Sequence, residues 1–148
     1  MGMIDISEKE DVHRYARARG EIVLTEESVK AIQNGKVKKG NVFQVAEISA
    51  IQAVKKTPES IPHCHPVPIE SVDVDFDLDQ NTLKVECSVK AVYKTGVEME
   101  ALSGVNSALL TVWDMVKYLE KDEEGQYPDT SIKNISVLEK RKVVEDEP

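Results

Sequence analysis

Cysteine, aromatic residues and long apolar runs are what this 148-residue sequence has least of. Two cysteines, Cys64 and Cys87, are too few for a disulfide framework. Aromatics at 5% give few platforms on which bases could stack. A formal net charge of -8, from 27 acidic against 19 basic residues, repels a polyanion, so general nucleic-acid binding is excluded. No apolar stretch approaches membrane-spanning length, and no basic start followed by an apolar run and a cleavage site opens the chain. Met1-Gly2 lacks the Ser or Thr that myristoylation wants where Ile6 stands. The expectation is a cytoplasmic protein without membrane attachment. Glycine-rich phosphate loops of the Walker or dinucleotide type are missing too.

What is present suffices for one domain over residues 1–148, since 41% apolar residues can fill a single core. Ile4 to Ile22 is charged and weakly periodic, and reads as an extended arm or edge strand. Thr25, followed by Glu26 and Glu27, caps a short helix that Asn34-Gly35 stops. Val42, Val45, Ala46, Ser49 and Ala53 recur at helical spacing in a second helix, closed by Pro58. Three prolines keep Ile61 to Pro68 irregular and rigid. Val72, Val74, Phe76 and Leu78 alternate with aspartates; Leu83, Val85, Cys87, Val89 and Ala91 alternate with Lys84, Glu86, Ser88 and Lys90. Joined by Gln80-Asn81, they predict an antiparallel hairpin whose acidic and basic outer faces can pair. Glu98 to Glu120 is a long, mostly apolar helix, and Ile132 to Leu138 returns as a strand before a tail expected to be mobile from about residue 141. Helices interleaved with a hairpin point to an α+β fold with a sheet covered on one side.

Three features could carry chemistry. Along the long helix, Glu100, Gly104, Ser107, Thr111 and Asp114 form one polar, small-residue stripe, and Lys117 stands three residues beyond Asp114. A carboxylate beside an amine can serve as an acid–base pair; the same stripe is also what the wet face of an ordinary helix looks like. His63-Cys64-His65 offers metal-ligand chemistry, but adjacent ligands make a poor cage, so no metal site is assigned; an oriented His65 or a purely structural loop are the alternatives. Arg14, Arg17, Arg19, Lys36, Lys38, Lys39, Lys55 and Lys56 gather basic charge within the first 56 positions, either for a phosphorylated ligand or as ordinary surface charge.

Taken together, Ile61-Pro62-His63-Cys64-His65-Pro66, Thr95-Gly96-Val97-Glu98-Met99-Glu100-Ala101-Leu102 and Trp113-Asp114-Met115-Val116-Lys117, in that order and spacing, resemble the MoaC family. The resemblance extends from Ile4-Asp5-Ile6-Ser7 through Lys38-Lys39-Gly40-Asn41-Val42-Phe43 to Val137-Leu138-Glu139-Lys140. It implies a ferredoxin-like antiparallel sheet packed with helices, and a homo-oligomer, a hexamer built as a trimer of dimers, with active sites at subunit boundaries. It also implies a reaction in which 3′,8-cyclo-7,8-dihydroguanosine triphosphate becomes cyclic pyranopterin monophosphate and diphosphate leaves, in molybdenum cofactor biosynthesis. No cofactor is required on this reading; whether Mg²⁺ accompanies the triphosphate stays open. By the same resemblance Asp114 is the principal catalytic residue, assisted by Lys117 and Lys39; His63, Cys64, His65, Met99 and Glu100 contact substrate; and Lys55, Lys56 and Arg14 are candidates for the triphosphate. The family often has leucine where His63 stands, and a Gly-Gly-Lys-Ser type of tail where this chain reads Arg141-Lys142-Val143-Val144, which leaves Lys140 or Lys142 to stand in. The rival from another class is a noncatalytic regulatory domain that binds a small metabolite between subunits, a role that would not need Glu100, Asp114, Lys117 and Lys39 together.

Overall fold

The computed structural model describes residues 1–143. The element order is β1 (Val12–Val23), α1 (Glu26–Gln33), α2 (Val42–Lys55), α3 (Thr57–Ser60), β2 (Ile69–Asp79), β3 (Thr82–Tyr93), α4 (Glu98–Glu120) and β4 (Ser131–Val143). The strands form one antiparallel sheet in the order β2-β3-β1-β4, so the hairpin and the two end strands interleave in the split βαβ manner of ferredoxin-like folds. Helices cover one face. Beneath them lie Ala16, Ala18 and Ile22 of β1, Leu83, Val85, Cys87 and Val89 of β3, and Val105, Leu109, Val112 and Val116 of α4, all buried. Among the described residues, no helix is long and apolar enough to cross a membrane.

The hairpin, the three longer helices and the irregular proline loop agree with the expectations. Four details do not. β1 is an interior strand, not an arm or edge: it pairs with β3 on one side and β4 on the other. The residues at the middle of its core-facing side, Ala16, Ala18 and Gly20, are too small to register as an apolar period. They are small because α4 lies close: a Cβ on Gly20 would sit 2.8 Å from Val105 Cγ1 and 2.9 Å from Leu109 Cδ1. Pro58 does not simply close α2, because Thr57–Ser60 add another turn with the proline in its first turn, where a missing N–H is tolerated. Thr57 Oγ1 donates to the carbonyls of Ala53 and Val54 at 2.9 and 3.0 Å, joining the two helices. The outer faces of the hairpin pair only in part: Asp77 stands opposite Lys84, but Asp75 stands opposite Glu86. Finally, β4 runs on through Val143, where Arg141 pairs with Tyr15 and its guanidinium lies 4.2 Å over that ring. The last strand is thus longer than the expected Ile132 to Leu138; of the tail expected to be mobile from about 141, residues 144–148 lie outside the described residues.

One buried carboxylate ties the far end of α4 to the rest. Glu120 accepts hydrogen bonds from the Thr25 backbone N–H (3.0 Å), from the Thr25 and Thr130 hydroxyls (2.6 Å each) and from the Ser28 hydroxyl. It thereby holds the N-cap of α1 and the lead into β4. Burial raises its pKa, but hydrogen bonds from Ser28, Thr130 and Thr25 outweigh burial and hold it below the ordinary value. Glu120→Gln is expected to lower stability by about 1–3 kcal/mol at pH 7. Because the folded-state pKa is the lower one, the anion's contribution is full above the unfolded value and is lost as pH falls through the folded one. Thermal melts across pH should show the gap between wild type and variant closing below about pH 4.

Candidate active site

The polar stripe of α4 is not a wet face: its middle is the seam on which α2 packs. Gly104 is buried, and a Cβ there would meet Cys87 Sγ at 2.6 Å and Val54 Cγ2 at 3.0 Å. The Ser49 and Ser107 hydroxyls lie 2.6 Å apart, and Thr111 Oγ1 lies 2.7 Å from Ser49 Oγ and 2.8 Å from the Ser107 carbonyl. The two helices run antiparallel, so the start of α2 adjoins the Asp114 end of α4 and its close adjoins the Glu100 end. The stripe emerges from the seam at both ends, with different chemistry at each.

At the first end, Lys39 Nζ lies 3.1 Å from Asp114 Oδ2 and donates to the Asp114 carbonyl at 2.9 Å, while Lys117 Nζ lies 3.1 Å from Asp114 Oδ1. The Asp114 side chain, 57% exposed, is open to a ligand. Hydrogen bonds from Lys117 and Lys39 hold its carboxyl below the usual carboxylate range, so it is anionic at neutral pH. The lysine loop is docked on α4: the Lys38 N–H donates to Tyr118 Oη at 2.9 Å and its ammonium lies 5.2 Å from the Tyr118 ring centroid. Leu110, Trp113 and Ile132 complete a shallow recess of about 350 Å³ around Asp114 and Lys117.

At the other end is a cavity of about 650 Å³. His63, Cys64 and His65 of the proline loop form one wall, Thr95, Gly96, Glu98, Met99 and Glu100 a second, and the N-terminal segment with Ile4, Asp5, Ile6 and Lys9 a third. His65 Nε2–H donates to the Ile4 carbonyl at 2.8 Å, which fixes both the ring and the segment. Glu100 is 3% exposed, and burial, reinforced by Glu98, pushes its carboxyl up to about 7. Burial, then Glu100 and Glu98, raises the Cys64 thiol as well, which makes it a poor thiolate. Among the described residues, no three His, Cys, Asp or Glu side chains converge as a cation cage.

Of the residues singled out in the sequence, His63, Cys64, His65, Met99 and Glu100 thus share the cavity, while Asp114, Lys117 and Lys39 share the other cluster. Fourteen positions of helix, about 21 Å, separate Glu100 from Asp114. Arg14 is in neither group; it is buried, and donates from Nε to the Tyr93 carbonyl at 3.3 Å and from a terminal nitrogen to the Lys94 carbonyl at 3.2 Å, bracing the turn into Thr95 and Gly96. Lys55 and Lys56 are exposed at the close of α2, toward the cavity end but outside its lining. Sequence reasoning about side-chain chemistry missed Tyr118, Glu98 and the Ile4–Lys9 wall; the blocks Ile4-Asp5-Ile6-Ser7 and Thr95 to Leu102 were the signal available for the last two.

A buried carboxyl shifted upward costs stability when ionised. The neutral form's contribution is present at low pH and lost as pH rises from the ordinary carboxylate range to about 7. Glu100→Gln is therefore expected to melt above wild type at pH 8 and near it at pH 5, read by thermal scans at the two values.

Comparison with known proteins bears on this arrangement. The MoaC family profile matches residues 3–142. A Methanosarcina mazei protein named "Probable cyclic pyranopterin monophosphate synthase" is 61% identical over 140 residues, which cover 95% of this chain and 89% of the relative. Proteins of the same name from Archaeoglobus fulgidus and Pyrococcus furiosus are 57% and 54% identical over 140 residues, with 95% of this chain and 90% of each relative covered. With its α+β sheet, its two clusters on α4 and these relatives, the chain belongs to the MoaC family.

Proposed function

We propose that the chain is a cyclic pyranopterin monophosphate synthase of molybdenum cofactor biosynthesis, a lyase that converts 3′,8-cyclo-7,8-dihydroguanosine triphosphate to cyclic pyranopterin monophosphate with loss of diphosphate. The observation that carries the chemistry is Asp114 held between Lys39 and Lys117, each nitrogen 3.1 Å from a carboxylate oxygen and all three side chains open to a ligand. Rearranging a purine-derived ring requires protons to be taken from some atoms and given to others. An anionic carboxylate flanked by two ammonium groups supplies acceptor and donors in one place. The same lysines offset charge that grows on the phosphate as diphosphate departs. His63, Cys64, His65, Met99 and Glu100 bind the substrate in the cavity, with Lys55 and Lys56 toward the triphosphate and Arg14 bracing the wall. No redox or organic cofactor takes part, and Mg²⁺ would enter only as a counter-ion of the triphosphate.

One substrate cannot be gripped by the cavity and by Asp114 of the same copy across about 21 Å of helix. The reading therefore includes an assembly, a hexamer of three dimers, in which the cavity of one copy meets the Asp114 cluster of another. Ser107 lies midway between Glu100 and Asp114, so a two-fold axis passing near it would pair the two ends. Exposed Val45 (40%), Ile48 (57%) and Leu110 (53%) give α2 and α4 an apolar outer surface suited to such a contact. Incubation with the cyclised dihydro-GTP, followed by assay for the pyranopterin and diphosphate, tests the activity; light scattering on the eluted protein tests the assembly. Tight binding without product would favour the metabolite-binding module instead.

A further inference from the structure

The loop between α1 and α2 carries Lys36, Lys38 and Lys39, and of the three it is Lys39 that reaches Asp114. The loop's first half is fixed to the body: the Lys36 N–H donates to the Ala31 carbonyl at 2.8 Å and Val37 is buried. Beyond it, Lys38, Lys39 and Gly40 are exposed, and Gly40 takes a φ of 120° that only a residue without a Cβ adopts easily. The Lys39–Asp114 ion pair, with side chains 44% and 57% exposed, is too open to hold this stretch by itself. Tyr118 supplies the restraint. It stands four residues beyond Asp114, one turn along α4 and on the same side of the helix. Its Oη accepts the Lys38 N–H at 2.9 Å, and its ring takes the Lys38 ammonium at 5.2 Å from the centroid. With the backbone of Lys38 pinned and its charge occupied, the next residue presents its ammonium to Asp114, at 3.1 Å from Oδ2 and 2.9 Å from the carbonyl. Without that grip Lys38 and Lys39 would compete for one carboxylate.

We infer that Tyr118 is a positioning residue of the acid–base cluster: by gripping Lys38 it sets which lysine faces Asp114, and at what distance. The inference rests on the function proposed above. Tyr118 acts through Lys39 and touches no reacting atom. Proton transfer requires donor and acceptor within hydrogen-bond reach, and a misplacement of about 1 Å can cost on the order of a hundredfold in rate. The grip has an electrostatic consequence as well. Hydrogen bonds from Lys117 and Lys39 hold the Asp114 carboxyl low, so loosening Lys39 lets its pKa rise toward the ordinary carboxylate value. Because Asp114 works as an anion, the acid limb of the pH–rate profile moves to higher pH with it.

Tyr118→Phe removes the acceptor and keeps the ring, so the contact with the Lys38 ammonium and the packing of α4 remain, while the freed Lys38 N–H turns to water. The variant is expected to melt close to wild type, to lower kcat about tenfold with KM changed less than about twofold, and to shift the acid limb upward. A double-mutant cycle separates positioning from a merely structural role: in a Lys39→Met background the same substitution should cost less than about twofold, since nothing is left to position. Equal losses in the two backgrounds, or a wild-type kcat in Tyr118→Phe, would overturn the assignment. The Asp114 carboxyl, followed by NMR titration of the full-length protein carrying isotope-labelled aspartate, reads the same link without turnover. Its pKa should rise in Tyr118→Phe, rise further in Lys39→Met, and stand no higher in the double variant; an unmoved Asp114 titration in Tyr118→Phe also overturns the assignment. Wild-type turnover of the cyclised dihydro-GTP is scored separately. Product formation with additive losses sinks the role of Tyr118 alone, whereas no product at all sinks the enzyme reading and leaves the titration to decide whether Tyr118 holds Lys39 on Asp114.

Discussion

Asp114→Asn is expected to lower kcat by about 10³-fold while leaving the melting temperature close to that of wild type. The two halves of the expectation have separate causes. The side chain is more than half exposed, takes no part in the core, and is replaced by an isostere, so little folding energy depends on it. Its chemistry depends on charge: the flanking ammonium groups keep it ionised at neutral pH, and an amide neither accepts a proton nor stabilises the Lys39 and Lys117 charges. Single-turnover assays with the cyclised dihydro-GTP, beside thermal melts, separate the effects. A parallel loss of activity and stability would mean that the Asp114 cluster is structural. Lys117→Met and Lys39→Met should each cost less than Asp114→Asn, since each leaves one of the two amines in place.

The strongly periodic parts of the fold were readable from the residues. Alternating valines and aspartates over Val72–Asp79 have no other economical conformation, and Thr25 with Asn34-Gly35 brackets α1 by capping chemistry that does not depend on tertiary context. β1 was hidden for a physical reason: between Val12 and Ile22 its inward residues are Arg14, Ala16, Ala18 and Gly20, so the middle of a strand at the heart of the sheet carries almost no hydrophobic signal, and the close approach of α4 that requires small residues is a tertiary fact. The stripe on α4 was legible as a set of residues but not as a seam, because Ser49, which turns it into one, lies on another helix. The same limit applies to the site. Motif order singled out Asp114, Lys117 and the His63–His65 loop, yet their division into two clusters follows from helical rise, and the docking of Lys38 on Tyr118 from a contact across 80 positions.

That division makes the assembly testable by activity alone. Asp114→Ala and Glu100→Ala, each purified as a uniform oligomer, should be almost inactive, since every composite site lacks either its acid–base cluster or its buried cavity carboxyl. Mixed by co-expression, the two chains form heterodimers in which one site takes Glu100 from the first chain and Asp114 from the second, and is intact, while the other site has lost both. Random pairing makes half of the dimers mixed, each with one working site of two, so activity should recover to about a quarter of wild type. Differently tagged chains, captured in tandem, remove the uniform oligomers and leave the figure at about a quarter, because almost every randomly assembled hexamer already holds both chains. If each cavity instead worked with the Asp114 of its own chain, both subunits of every mixed dimer would carry a defect, and co-expression would recover nothing.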